Sequence, residues 1–382
     1  MHYVYLALDG LRKEHPDKDF EIPELQAFFF LKYPDADKPL YLELFKTIQE
    51  TPLDPEVGLG ILEQIRRRRA ASMLSEASFK YATGHGDLDA VIQLSKALEE
   101  GVEESLEEVE VVSDDLEFLL ANVFSKPGLR WRLNCLNRSL GSLRKGNFGF
   151  VFARPETGKT TFLASEVAYM LTQLKDDDGP IVWFNNEQVG AEVMLRMYQA
   201  FFGLTMEQLL SNPGRFKREF QEKVKGRFKL VDNANIDRYQ VEKILKQLKP
   251  SLVIFDQIDK VKGFAADRED LRLGAIYIWS RELAKTYCPV IGVCQADGTA
   301  EGQKWLTMDH VSNAKTSKQA EADWILGIGK THAEGAEFVR YLNISKNKLL
   351  GDQDSIPDLR HGRFETFIDQ EIARYRDITK FD

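Results

Sequence analysis

The chain has 382 residues, a formal charge of −9, and 43% hydrophobic against 29% charged residues. That length suggests about two domains and a core large enough to bury most apolar side chains. No apolar run approaches the ~18 residues of a membrane span, and Met1-His2-Tyr3 opens without a charged-then-apolar leader, so the expectation is a cytoplasmic protein with no membrane partner. The three cysteines, Cys135, Cys288 and Cys294, lack a paired metal-ligand spacing; Cys288 and Cys294 flank an apolar strand and read as small core residues. The negative balance argues against indiscriminate coating of nucleic acid, yet leaves room for a grip through local basic loops.

Residues 1–98 read as a small all-helical N-terminal domain. Short amphipathic helices are predicted around Pro23–Leu31 and Tyr41–Phe45, broken at Tyr33-Pro34 and Thr51-Pro52, and a longer one starts after Pro55 and runs through Ile61, Ile65 and Met73. Arg66, Arg67, Arg68 and Arg69 point all around that helix, so they read as a solvated, partly paired face or as a contact with an acidic partner or nucleic acid. Asp87 is a fitting N-cap for a further helix through Leu98. Residues 99–125 are expected to be a linker: Glu99 to Glu117 contains many carboxylates, no Lys or Arg, and too little apolar content for a core.

Residues 126–382 change grammar. Strand-like runs alternate with helical ones, which predicts an α/β domain with a mostly parallel sheet. The runs are Phe148–Phe152, Pro180–Phe184, Phe228–Val231, Ser251–Asp256, Pro289–Gln295, Trp324–Ile328, Phe338–Ser345 and Phe364–Ile368. The first leads into Arg154-Pro155-Glu156-Thr157-Gly158-Lys159-Thr160-Thr161 and then an apolar-periodic helix with Phe162, Leu163, Val167 and Leu171. Strand, tight loop, helix is the order a phosphate loop requires, because loop N–H groups and the helix N-terminus together cradle an anion. Arg154 to Thr161 therefore form the candidate nucleotide-binding segment. Gly158 permits close backbone approach, Lys159 brings a point charge to the outer phosphates, and the Thr160 hydroxyl suits Mg²⁺. Ala153 stands where the generic pattern has Gly. The bland alternative is a chance G-K-T in a solvated turn.

Ligand groups in open α/β sheets gather at the carboxyl ends of strands. Asp256 ends an apolar strand where a hydrolysing phosphate-loop protein keeps its Mg²⁺ carboxylate, or is a plain solvated strand-end acid. Glu187 stands just past its strand, a good place for a base that deprotonates the attacking water, and also for a helix-capping acid. Gln295 reads either as a sensor of the outer phosphate or as a simple strand-end amide.

The order and wording of these pieces resemble the DnaB-type replicative helicases of the RecA-like superfamily. The resemblance rests on A-R-P-E-T-G-K-T-T-F (Ala153–Phe162), W-F-N-N-E-Q (Trp183–Gln188), L-R-M (Leu195–Met197), L-V-I-F-D-Q-I (Leu252–Ile258), P-V-I-G-V-C-Q (Pro289–Gln295), A-E-A-D (Ala320–Asp323) and I-S-K-N-K (Ile344–Lys348). The approach Gly128–Asn147 adds to it, so the likeness spans roughly residues 125 to 370, and the Ala153 start is at home in that family. It implies a RecA-like ATPase in a homo-oligomeric ring, usually a hexamer, hydrolysing ATP or another NTP with Mg²⁺ at subunit interfaces. It further implies 5′ to 3′ movement on single-stranded DNA and a primase, polymerase or loader as partner. Carried onto this chain, Lys159 and Thr160 bind phosphate and Mg²⁺, Glu187 is the catalytic base, Asp256 serves the metal and Gln295 senses the γ-phosphate. Lys346 and Lys348 match the Lys and Arg that reach the neighbour's site. Lys348 departs from the family's Arg and cannot make a forked guanidinium contact, so Arg360 and Arg363 are candidate substitutes.

The same resemblance assigns DNA contact to two loops facing the ring's hole. The loop after Asp256 carries Lys260, Lys262 and Arg268; the loop from Ala296 to about Lys318 carries Lys304, Trp305, Lys315 and Lys318. Lys side chains would hold phosphates without reading sequence, and Trp305 would stack on a base; the alternative for each Lys is an ordinary loop charge. The N-terminal region is shorter than a full bacterial partner-binding domain, and the Leu62–Leu98 helices resemble linker helices that bind an adjacent subunit. That shape is similar to phage-encoded members, which would act in the host cytoplasm. The competing readings are a RecA-like DNA-dependent ATPase of recombination or repair that switches without unwinding, and a nucleotide-binding scaffold that recruits replication proteins.

Overall fold

A computed structural model describes the chain except residues 1, 15–17, 19, 35, 51–54, 100–113, 118–127, 265, 267, 314 and 379–382. The chain divides into two compact units, Met1–Val112 and Ser113–Asp382. Most of the acidic 99–125 stretch lies outside the described residues.

The first unit is helical. Helices α1 (His2–Glu14), α2 (Ile22–Lys32) and α3 (Lys38–Glu50) share a small core of Val4, Ala7, Leu11, Leu25, Phe29 and Phe45. Phe29 is at its centre, in edge or tilted contact with Phe30, Tyr33, Tyr41 and Phe45. Pro23 near the N-terminus and a capping box between Glu21 and Glu24 start α2. A long α4 (Pro55–Ala82) packs on α5 (Leu88–Glu99), at whose start the Asp87 carboxylate accepts from Asp89 N. Arg68 and Arg69 are exposed; the side chains of Arg66 and Arg67 lie outside the described residues.

The second unit is built on a nine-stranded sheet, ordered β3-β2-β4-β5-β1-β6-β7-β8-β9 among the described residues. The strands are β1 (Phe148–Ala153), β2 (Ile181–Asn185), β3 (Phe228–Asp232), β4 (Leu252–Asp256), β5 (Val290–Gln295), β6 (Trp324–Gly329), β7 (Val339–Asn347), β8 (Arg363–Asp369) and β9 (Arg374–Asp377). β1 to β6 are parallel, while β7, β8 and β9 run antiparallel on the β6 side.

Alternate residues of each central strand enter different cores. Val151, Trp183, Ile254 and Val293 join one face; Phe150, Phe152, Phe184, Phe255 and Cys294 join the other. Both faces are thus buried, which explains why these strands read as continuous apolar runs. Gly149 lies against the Trp324 ring, where an added Cβ would come within 2.2 Å of it. The helices that flank the site are α6 (Lys159–Leu171) after β1, α7 (Gly190–Phe202) after β2, α8 (Glu269–Thr286) before β5 and α9 (Lys315–Glu321) before β6. The expected long loop from Ala296 to about Lys318 is shorter, because two single 3₁₀ turns, at Gly298–Ala300 and Met308–His310, and the start of α9 take up much of it.

Candidate active site

The parallel order brings the carboxyl ends of β1, β2, β4 and β5 to one edge. The loop after β1 turns through two left-handed residues, Glu156 at φ 59° and Gly158 at φ 104°, and Gly158 is the N-cap of α6. A side chain at Gly158 would meet both Ile368 and the Tyr375 hydroxyl, so the backbone conformation and the space each demand glycine. Lys159, 5% exposed, folds its ammonium onto the carbonyls of Ala153 and Arg154, each at 3.2 Å. Burial lowers its pKa, and the nearby Glu187 and Asp256 carboxylates oppose that. Thr157 and Thr160 are buried at the helix start with Thr161 half-buried beside them, whereas Pro155 and Glu156 are exposed at the tip of the loop.

Asp256 is fully buried at the end of β4, opposite Asn185 of β2, and neither of its carboxylate oxygens has a hydrogen-bond partner. Burial and the Glu187 charge push its carboxyl up to about 7. An acid left without a donor in a buried position requires compensation from outside the chain. Glu187, two residues past β2, is exposed and accepts a 2.9 Å hydrogen bond from Gln257 Nε2. Gln295 ends β5 in register with Ala153, where the phosphate loop begins.

On β7, Lys346 donates to the carbonyls of Gln319 and Ala320 at the end of α9, and burial together with Lys348 lowers its pKa. Lys348 is exposed; Arg360 is also exposed and donates to the Asn347 carbonyl next to it at 3.0 Å. Arg363 stacks its guanidinium 5.9 Å from the Trp305 ring instead.

The basic loops divide into reachable and committed charges. Lys260, Lys262 and Arg268 are exposed, with Lys262 on Asn235 Oδ1 and Arg268 forked on Asp270. Lys304 is exposed and pairs with Glu365 at 2.7 Å, which raises its pKa; Trp305 is half-buried, edge-on to Tyr341. Lys315 starts α9, and its side chain lies outside the described residues. Lys318 corrects the expectation of DNA contact. It is 0% exposed, bonded to Asp259 Oδ2 at 2.7 Å and the Ser312 carbonyl at 2.9 Å, and lies over the Tyr277 ring. A buried ammonium spent on such partners serves the fold.

Three supports of the phosphate loop escape a reading of the sequence. Arg340 of β7 is 1% exposed and donates from Nε to the Thr157 carbonyl at 2.7 Å. The Tyr375 hydroxyl of β9 donates to the Gly158 carbonyl at 3.3 Å. Glu301 accepts from Arg154 Nε at 3.1 Å and lies 3.2 Å from His332 Nε2, while Arg154 Nη1 also binds the Ala296 carbonyl. A buried Arg inside an apolar strand was the one signal available for the first of these.

With this geometry in hand, residues 117–300 match the family model of an AAA domain. No curated protein matches the sequence. Among solved structures the chain is similar to the ATPase domain of a phage helicase, with TM-score 0.57 and 15% identity over 70% of this chain and 100% of that one. It is also similar to a DnaB-like replicative helicase solved for its interactions with primase, with TM-score 0.64 and 15% identity over 98% of this chain and 91% of that one. These likenesses agree with the sheet order and the cradle: the chain has the fold of a RecA-like ATPase domain preceded by a helical unit.

Proposed function

We propose that the chain is an ATP-driven DNA helicase of the DnaB replicative type, working as a homo-oligomeric ring on single-stranded DNA. The observation that carries this is the orphaned, buried Asp256 within electrostatic reach of Lys159 and the exposed Glu187 at one edge of a parallel sheet. A protein that only bound nucleotide would need no exposed carboxylate beside that pair.

In this reading the loop Arg154 to Thr161 holds the triphosphate, with Lys159 leaving the Ala153 and Arg154 carbonyls for the outer phosphates. Glu187 takes a proton from water as its oxygen attacks the terminal phosphorus, and Gln295 reports whether the γ-phosphate is present. The unpartnered Asp256 oxygens and the Thr160 hydroxyl fit a hard cation such as Mg²⁺, which when bound offsets phosphate charge. Lys346 and Lys348 of a neighbouring copy would complete the site, with Arg360 beside them as the available guanidinium. Lys260, Lys262, Arg268, Lys304 and Trp305 would meet DNA phosphates and bases, Lys304 exchanging Glu365 for phosphate, with Lys315 as a further candidate on α9. By resemblance the movement is 5′ to 3′, a primase or loader is the expected partner, and a phage origin with action in the host cytoplasm belongs to the same reading. Among the described residues no helix is long and apolar enough to cross a membrane.

The Lys348 position favours a second reading, a DNA-dependent ATPase that switches without unwinding. ATP hydrolysis with and without single-stranded DNA, on protein sized in the same sample by light scattering, tests the first reading. Strong stimulation in a ring-sized species together with strand displacement on a forked duplex is the expected result. Stimulation without displacement moves the assignment to the second reading, and a monomer inert on DNA removes both. Glu187→Gln should keep nucleotide binding and lose turnover.

A further inference from the structure

Gln257 directly follows Asp256 and opens the loop after β4. Its backbone lies in the left-handed region at φ 66°, a conformation unfavourable for a residue with a side chain and therefore held by its surroundings. The side chain is 3% exposed, and its amide is spent on Glu187 Oε2 at 2.9 Å. Three residues on, Lys260 Nζ reaches the carbonyl of Asn186, the residue before Glu187, at 3.4 Å. Asp259 lies between them and is gripped from the other side by buried Lys318, by the Tyr277 hydroxyl at 3.2 Å and, on its carbonyl, by Arg272 at 3.1 Å. One short segment thus holds both the strand end that carries Glu187 and the region after β5.

We propose that Gln257 is a positioning residue that restrains Glu187 until the loop after β4 is moved by single-stranded DNA. This rests on Glu187 being the base of the proposed reaction. A carboxylate that accepts a proton from water needs an oxygen aimed at that water. An amide N–H on Oε2 occupies one oxygen and fixes the rotation of the group. DNA phosphates drawing Lys260 away from Asn186 would shift the same segment, turn Gln257 and release Glu187. The restraint makes turnover conditional on DNA, with the signal crossing three residues of backbone and one hydrogen bond.

The test compares the full chain with Gln257→Met, which keeps the length and loses the donor, and with Gln257→Asn, which keeps an amide but falls short of Glu187. ATP turnover is read with and without oligo(dT), and nucleotide affinity by titration with a fluorescent ADP. Turnover without DNA should rise on the order of tenfold in both variants, the scale of losing a hydrogen bond to a charged group, while stimulation by DNA shrinks in proportion and ADP affinity holds. Unchanged turnover without DNA overturns the proposal. A proportional fall with and without DNA also overturns it, since Gln257 would then support the base. If Gln257→Met melts early, Gln257→Asn decides alone, because it retains a polar group in the buried position. Glu187→Gln in the same assays separates the two levels: if that variant is dead and the Gln257 variants match the parent, the restraint alone fails. If Glu187→Gln keeps parental turnover, the proposed reaction fails with it.

Discussion

Burial holds two carboxyls of the site region in the neutral range, Asp256 near 7 and Glu166 near 8. Glu166 lies two turns into α6, 1% exposed, accepting from Arg132 N at 2.5 Å and Leu133 N at 3.4 Å while its Oε1 has no partner. Both folded-state values are raised above the ordinary 3.8 and 4.5, so each group's stabilising contribution is full below those ordinary values. It is lost as pH rises through about 7 and about 8 respectively. The urea midpoint of the unliganded protein should therefore fall between pH 5 and 8.5. Glu166→Gln should remove the upper part of that fall and exceed the parent at pH 8.5 by about 1–3 kcal/mol, with identical midpoints there counting against it. Asp256 gives a second signature. A carboxyl half-protonated near 7 must shed its proton to serve a metal, so Mg²⁺-nucleotide binding at pH 6.5 should release protons. Calorimetry in two buffers of different ionisation enthalpy reads this, and Asp256→Asn should abolish the buffer dependence.

Between elements, the contact that matters most is Lys318 of α9 with Asp259 after β4, which ties the two basic loops together. Lys318→Met leaves Asp259 without its cation and should destabilise the protein by roughly 2–4 kcal/mol, a little under the usual cost because 23% of the Asp259 side chain stays exposed. Adding Asp259→Asn to that variant should recover part of the loss, and additive urea midpoints would show that the pair is not coupled. At this scale the sequence was most legible where periodicity is strongest. The strands around Trp183, Ile254 and Val293 are apolar on both faces and could hardly be read otherwise. β9 was missed because only Tyr375 of Arg374–Asp377 is buried, leaving no alternation to detect. The helix at Pro213–Val224 was missed because charge dominates it. Lys318 was misread for a different reason: a lysine on a loop-like stretch carries no sign of the acid it will meet 59 positions away.

For the whole molecule, the phosphate loop, Asp256 and Glu187 were legible because chain order dictates which strand ends meet. The struts behind them, Arg340 and Tyr375, were not, since they depend on a sheet register that no local pattern encodes. If neighbouring copies supply Lys346 and Lys348, specific ATPase activity should rise with protein concentration through the range where light scattering reports assembly. A flat profile would mean that each copy works alone. Lys348→Arg should then raise turnover several-fold by restoring a forked contact. The Tyr375 strut also bears on when the protein becomes competent. The hydroxyl that props Gly158 comes from 217 positions further along the chain. During synthesis the phosphate loop is made early but its back wall arrives among the last strands. A nascent or truncated chain can therefore display the whole G-K-T sequence and still lack a finished cradle. Premature consumption of ATP by half-made motors is prevented by topology, without any inhibitor.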